Sequence, residues 1–370
     1  MKQQQNIYDL AVAGIRQLIP YQPGKPITEL QRELGLQQVI KLASNENPLG
    51  PGPKAVQAIR SALPELARYP DGNGFELKRA LADKFGVDVR QLTLGNGSNE
   101  ILELVARTFL TSRSEVIFSQ HAFAVYPLVT QAVGATAKVV AAVNYGHDLE
   151  AMLRQVTANT GCVFIANPNN PTGTYLTHGA LETFLQALPD RIICVLDEAY
   201  FEFVNNSDYP KSIQWLAQYP NLLITRTFSK AYGLAGLRIG YALSGLAVAD
   251  LLNRARQPFN CNALALVAAE AALQDVDFLQ QSVDNNHQGM QQITAALQKL
   301  HLTWIPSVGN FVSIDLRQPA LPVYEALLKR GVIVRPVANY ELPNHLRVSI
   351  GTKNENQCFI DALTAVIKHV

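Results

Sequence analysis

Short apolar runs alternate with longer stretches of helical period between about residues 92 and 243. The runs predict strands at 92–94, 116–119, 138–143, 162–166, 192–196, 222–225 and 239–243. Strands separated by helical segments are the pattern of an α/β domain with a largely parallel sheet. A long helical stretch at 246–273 leads toward a second domain, with a helix at 323–330, strands at 332–335 and 346–350, and a terminal helix. The Pro- and Gly-rich segment 48–53 marks where an N-terminal arm meets the large domain. The expected division is 1–47 for the arm and part of the small domain, 48–270 for the large domain and 271–370 for the small one. No internal repeat or low-complexity tract interrupts it.

The polar residues after these runs carry the chemistry. Asn167-Pro168-Asn169-Asn170-Pro171-Thr172-Gly173 follows the run at 162–165, and Asp197-Glu198-Ala199-Tyr200 ends the run at 191–196. Thr227-Phe228-Ser229-Lys230 follows the run at 222–224, and Arg238 lies eight positions after the lysine. In open α/β sheets, ligands bind at the carboxyl ends of the strands. An amine among small and hydroxyl side chains, with a fixed cation close by, suits an aldehyde cofactor that carries a phosphate. Lys230 would form the Schiff base, and the hydroxyls and Arg238 would hold the phosphate. A lone lysine after a serine would be a solvated surface residue. Asp197 ends an apolar strand, where an unpaired carboxylate is costly and a cationic partner offsets the cost. Its alternative reading is a helix cap.

Composition narrows the class. The 370 residues are 48% hydrophobic and 16% charged, enough for two compact domains. A net charge of +1 with scattered lysines and arginines gives no electrostatic footprint for nucleic acid or a membrane surface. The first residues lack an apolar signal core, and a cytoplasmic location is expected. Cys162, Cys194, Cys261 and Cys358 form no CxxC pair, and Cys162 and Cys194 are expected to be packing residues. The seven histidines include no HExxH, so neither disulfide nor metal chemistry is indicated.

Gly95-Asn96-Gly97-Ser98-Asn99-Glu100 opens the helical stretch 101–110. A dinucleotide fingerprint would need glycine where Glu100 stands, and Ser119 supplies no ribose-binding acid. The turn still offers backbone N–H groups at a helix N-terminus, an anion site. Its alternative reading is a plain capped helix.

Together these motifs, from about Tyr21 to the C-terminus, resemble the fold-type I pyridoxal-phosphate enzymes of the aspartate aminotransferase superfamily. The resemblance implies a large, mostly parallel sheet domain with a smaller α+β domain, and pyridoxal 5'-phosphate as cofactor. It makes Lys230 the aldimine lysine and Asp197 the carboxylate facing the ring nitrogen. Tyr200 and Asn170 would bond the ring oxygen. Gly97, Ser98, Asn99, Thr227, Ser229 and Arg238 would hold the phosphate. Phe123 takes the place of the ring-stacking aromatic, although His121 stands where many relatives carry proline. Asn99 replaces a frequent aspartate. Tyr126 is expected in the core. Tyr69 resembles the tyrosine that reaches a neighbouring subunit's phosphate, which implies a homodimer with shared sites.

Two arginines, Arg335 and Arg347, lie on predicted small-domain strands. The guanidinium fork matches carboxylate or phosphate. Arg347 corresponds to the superfamily's substrate-carboxylate arginine. A solvated strand face is the alternative for Arg335. The segments Tyr21-Gln22-Pro23-Gly24-Lys25-Pro26, Lys41-Leu42-Ala43-Ser44-Asn45-Glu46-Asn47-Pro48-Leu49-Gly50 and Arg68-Tyr69-Pro70-Asp71 look like the histidinol-phosphate aminotransferase family. That resemblance implies transfer of an amino group from L-histidinol phosphate to 2-oxoglutarate in a ping-pong cycle, with L-glutamate as product. Tyr21, Asn47, Arg335 and Arg347 would frame the substrate anion. One departure is Asn339-Tyr340-Glu341, where Gly-Tyr-Gly is expected; Glu341 would place a negative charge beside the anion pocket unless it points outward. An aromatic amino acid transaminase, a decarboxylase of amino acid phosphates and a non-catalytic cofactor-binding regulator remain as alternatives. A regulator would be expected to carry a DNA-binding region, and the residues before Tyr21 show no helix-turn-helix and no basic patch.

Overall fold

A computed structural model describes residues 6–20 and 24–367. Among these, the strands in chain order are β1 (Ile40–Lys41), β2 (Leu92–Gly95), β3 (Glu115–Ser119), β4 (Thr136–Val140), β5 (Thr160–Ala166), β6 (Ile193–Asp197) and β7 (Leu222–Thr227). They continue as β8 (Gly240–Ser244), β9 (Thr303–Ile305), β10 (Phe311–Asp315), β11 (Val332–Ile333), β12 (Arg335–Val337) and β13 (Leu342–Ser349). All seven strands expected between 92 and 243 are present. They form one sheet in the order β2-β8-β7-β6-β5-β3-β4, parallel except at β8, which runs antiparallel to both neighbours.

The strands read as unbroken apolar runs because both faces are covered. Val163, Ile165, Cys194, Leu196, Leu222 and Ile224 pack to one side with the helices Phe75–Phe85, His178–Ala187 and Ala263–Leu273. Cys162, Phe164, Val195 and Leu223 pack to the other, with the helices Ser98–Phe109, Val125–Ala132 and Leu246–Ala255. Cys162 and Cys194 are buried packing residues, as expected.

The long helical stretch differs from expectation. It is two helices, Leu246–Ala255 and Ala263–Leu273, with Pro258 and the positive-φ residue Phe259 in the break. Proline removes a helical donor and a left-handed residue cannot continue a right-handed helix. The second helix restarts at Asn262, whose side chain accepts from the Ala265 N–H. A separate 24-residue helix, Val276–Lys299, then leads to the β12-β13-β10-β9 sheet. The expected strand at 332–335 also divides. β11 pairs in parallel with β1 of the N-terminal segment, and β12 pairs antiparallel with β13. Asp197 of β6, Thr227 of β7 and Arg347 of β13 line one cavity.

Candidate active site

The carboxyl ends of the central strands meet in register. Ala166 is paired with Asp197, Asp197 with Thr225, and Thr227 with Gly240, which also faces Gly95. A cavity of about 180 Å³ opens there. Asp197, Asn170, Tyr200, Thr227, Ser229, Lys230, Arg238, Ser98, Asn99, Phe123, Arg335 and Arg347 all line it. Residues spread over nearly 250 positions of sequence thus share one small volume.

Lys230 Nζ donates to the Ser44 carbonyl at 3.0 Å and lies 5.7 Å from the Tyr200 ring centre. Burial pushes its amine down to about 7, helped by the positive charges of Arg347 and Arg238 and opposed by Glu46. Asp197 is 5% exposed and accepts from Tyr126 Oη at 2.9 Å and Thr225 Oγ1 at 3.0 Å. Burial raises its pKa, against the pull of those two bonds and the Ala199 N–H. No lysine or arginine pairs with it among the described residues, so its charge is left for a cationic ligand atom. Tyr126 is core, stacked on Phe164 at 4.7 Å, and it also orients this carboxylate.

The anion end is built on the turn before the helix Ser98–Phe109. Gly97 has φ +80°, and a Cβ there would lie 2.5 Å from Arg238 Nη2. Gly240 is equally constrained, since its Cβ would lie 2.5 Å from the Ser98 nitrogen. Absence of both side chains lets the helix N-terminus, Arg238 and the β7 hydroxyls converge. Arg238 Nη1 donates to Ser229 Oγ at 3.3 Å, and Thr227 Oγ1 accepts from the Ser229 N–H at 3.1 Å. Gly240 was not singled out by sequence. A glycine inside an apolar strand is the signal that marks such a close approach.

On β13 the side chains alternate. Leu346 and Val348 enter a hydrophobic core with Ile293, Val323 and Leu327, while Arg347 and Ser349 face the cavity side. Arg347 is 6% exposed, donates to the Ala43 carbonyl at 2.7 Å and to Asn170 Oδ1, and lies 5.5 Å from the Phe311 ring. Its Nε has no partner, and no carboxylate pairs with it among the described residues. A buried guanidinium in that state is prepared for an anion. Arg335 also lines the cavity, half-buried.

Two expected residues stand elsewhere. Asn47 does not line the cavity; its amide donates to the Ala231 carbonyl and Ser282 Oγ, both at 2.9 Å. Asn45, two residues earlier, lines it instead, with Ala43 and Ser44. Tyr69 is 83% exposed and stacked on Phe259 at 4.8 Å, away from this cavity. Tyr21 lies outside the described residues. Glu341 points outward: it is exposed, takes a hydrogen bond from Gln120 and does not line the cavity. Its φ of +60° is the left-handed geometry that favours glycine, the residue expected there.

The sequence model for "Aminotransferase class I and II" matches residues 37–363. The chain belongs to the class I and II aminotransferases. It is 60% identical over 364 residues to histidinol-phosphate aminotransferase 2 of Pseudomonas fluorescens strain Pf0-1, covering 98% of each chain. It is 56% identical to the protein of the same name from Methylococcus capsulatus, covering 98% of this chain and 99% of that one. The solved histidinol-phosphate aminotransferase of Sinorhizobium meliloti, in complex with pyridoxal-5'-phosphate, superimposes with a TM-score of 0.91 at 30% identity, over 97% of this chain and 98% of that one. A Thermus thermophilus aspartate aminotransferase variant shares the fold at 22% identity and a TM-score of 0.84, over 97% and 99%. The fold is therefore the fold-type I architecture that the motifs implied, and the family resemblance read from the sequence is the one these relatives carry.

Proposed function

We propose that this aminotransferase is a pyridoxal-phosphate-dependent enzyme that converts L-histidinol phosphate and 2-oxoglutarate to imidazole-acetol phosphate and L-glutamate, in histidine biosynthesis. The names of relatives at 56% and 60% identity support the substrate. The observation that carries the chemistry is the trio inside one cavity: a lysine amine near neutrality, a buried carboxylate without a cation, and a buried guanidinium without an anion.

The residues present fit the cofactor. Gly97, Ser98, Asn99, Thr227, Ser229 and Arg238 would hold its phosphate by backbone N–H groups, hydroxyls and one fixed charge. Asp197 would keep its ring nitrogen protonated, and Tyr200 with the Asn170 amide nitrogen would bond the ring oxygen. Phe123 would cover the ring. When bound, the cofactor supplies an electron sink for a carbanion at the substrate α-carbon.

Lys230, whose amine lines the cavity, would hold the cofactor's aldehyde and would serve as the base and acid that moves the substrate's α-proton. An amine titrating near 7 serves as base and acid alike. Arg347 and Arg335 bind the substrate's anionic group, phosphate in one half-reaction and carboxylate in the other. Tyr69 would complete the site from a second copy of the chain in a cytoplasmic homodimer.

Single-turnover spectroscopy of the cofactor-loaded protein tests this reading. Histidinol phosphate should bleach the lysine-linked chromophore faster than L-phenylalanine does. Faster conversion by phenylalanine would move the function to aromatic transamination.

A further inference from the structure

Between β1 and the cavity, consecutive residues of one segment each grip a different part of the site. The Leu42 carbonyl accepts from the Ser349 N–H at 2.9 Å, the Ala43 carbonyl from Arg347, and the Ser44 carbonyl from Lys230. Asn45 is the most connected. Its Nδ2 donates to Tyr200 Oη at 2.9 Å, and its Oδ1 accepts from Ser349 Oγ at 3.1 Å. Its backbone N–H donates to the same Ser349 Oγ at 2.7 Å, and its carbonyl accepts from Asn310 Nδ2 at 3.0 Å. Asn45 is 1% exposed and has φ +54°, a conformation in which asparagine is tolerated better than most residues.

The consequence for Tyr200 is directional. A phenol oxygen that accepts a bond from an amide has that lone pair occupied, and its own proton is left to donate elsewhere. Tyr200 lines the cavity, so that proton is available to a group bound there. Accepting a bond also makes the phenol a stronger donor. Ser349 holds the far side of the amide, so Tyr200 is positioned from the same strand that carries Arg347.

We infer that Asn45 is a positioning residue, which fixes and strengthens Tyr200 as a hydrogen-bond donor to the ring oxygen of the bound cofactor and ties it to β13. This rests on the pyridoxal-phosphate reading above and adds a residue that neither the motifs nor the family match singles out. The charged and titratable groups around Tyr200 are Arg347, Asp197, Tyr340 and Lys230, with Glu46 and Arg238 acting on the lysine. Asn45 is uncharged and its side chain bonds Tyr200 and Ser349, so a shift can be assigned to the lost donor.

The measurement is the pH titration of the lysine-linked chromophore in the holoenzyme, for wild type, Asn45→Gly and Ser349→Ala. Glycine keeps the left-handed backbone and deletes only the amide. A weaker Tyr200 donor leaves the ring oxygen more basic, so the proton shared with the lysine nitrogen is held more tightly. The expected midpoint shift is upward by roughly half a pH unit or more in Asn45→Gly, about one hydrogen bond's worth, and smaller in Ser349→Ala. An unchanged midpoint in folded, cofactor-loaded Asn45→Gly overturns the inference. Should that variant not fold, an unchanged midpoint in Ser349→Ala does the same. A wild-type protein that forms no lysine-linked chromophore overturns the functional reading, and this inference with it.

Discussion

At Lys230 burial dominates, and it acts against the charged form. The amine is lowered to about 7 from its usual 10.5, so over that interval the unfolded chain binds a proton that the folded protein does not. Through this group, cofactor-free protein gains stability as pH rises from about 7 toward 10.5. In urea unfolding of the cofactor-free protein, the difference in stability between wild type and Lys230→Met should therefore shift in favour of wild type from pH 7 to pH 9. A difference that stays flat would contradict the buried amine. With cofactor, Lys230→Ala should lose turnover by at least about 10²–10⁴-fold while its circular dichroism stays native. Asp197→Asn should lose on the order of 100-fold in kcat, because a neutral amide cannot hold the ring nitrogen protonated. Near-normal rates in either variant would remove that residue from the mechanism. Most of the lining was legible at this scale, since lysine, aspartate and arginine at strand ends announce themselves. Asn45 and Asn47 are the counterexample. They are chemically identical and two positions apart, and only the fold decides that the first faces the cavity and the second ties down Ala231 and Ser282.

Among the elements, the β6 and β7 ends carry the site on one side and a buried ion pair on the other. Arg226 lies between Thr225 and Thr227, points away from the cavity, and donates through Nε and Nη2 to Glu198 Oε2 at 2.9 and 2.7 Å. Both side chains are essentially inaccessible, and the guanidinium lies 3.6 Å from the Phe201 ring centre. Removing one partner of such a pair leaves an uncompensated charge, so Glu198→Gln should destabilise the protein by about 3–5 kcal/mol in denaturant unfolding. A loss within experimental error would show that Arg226 finds another acceptor. At the facing turn, Gly97→Ala should weaken cofactor binding more than it lowers stability, because its Cβ meets the Arg238 guanidinium. Equilibrium dialysis against unfolding midpoints separates the two effects. Strands of the large sheet were legible because double-sided burial removes polar residues from them. β9 and β10 were not, being short runs whose pairing with residues far along the chain supplies most of their stabilisation.

For the whole molecule, exposed Tyr69 bears on assembly. If it completes the site of a second copy, mixing Lys230→Ala with Tyr69→Ala protein under exchange conditions should produce heterodimers with one intact site. Partial recovery of activity above both parents is the expected result, and its absence would confine each site to one chain. Sedimentation should show a dimer in either parent.

By itself the sequence determined the α/β class, the family and most of the charged lining. Those depend on local periodicity and on residue types that few other roles can explain. Tertiary structure alone decided how the segment after β1 lies against β13. It placed Ala43, Ser44 and Asn45 against Arg347, Lys230 and Tyr200, and turned Glu341 outward. Such contacts join residues 155 to 304 positions apart. They arise from chain crossings and single backbone angles that no local pattern records.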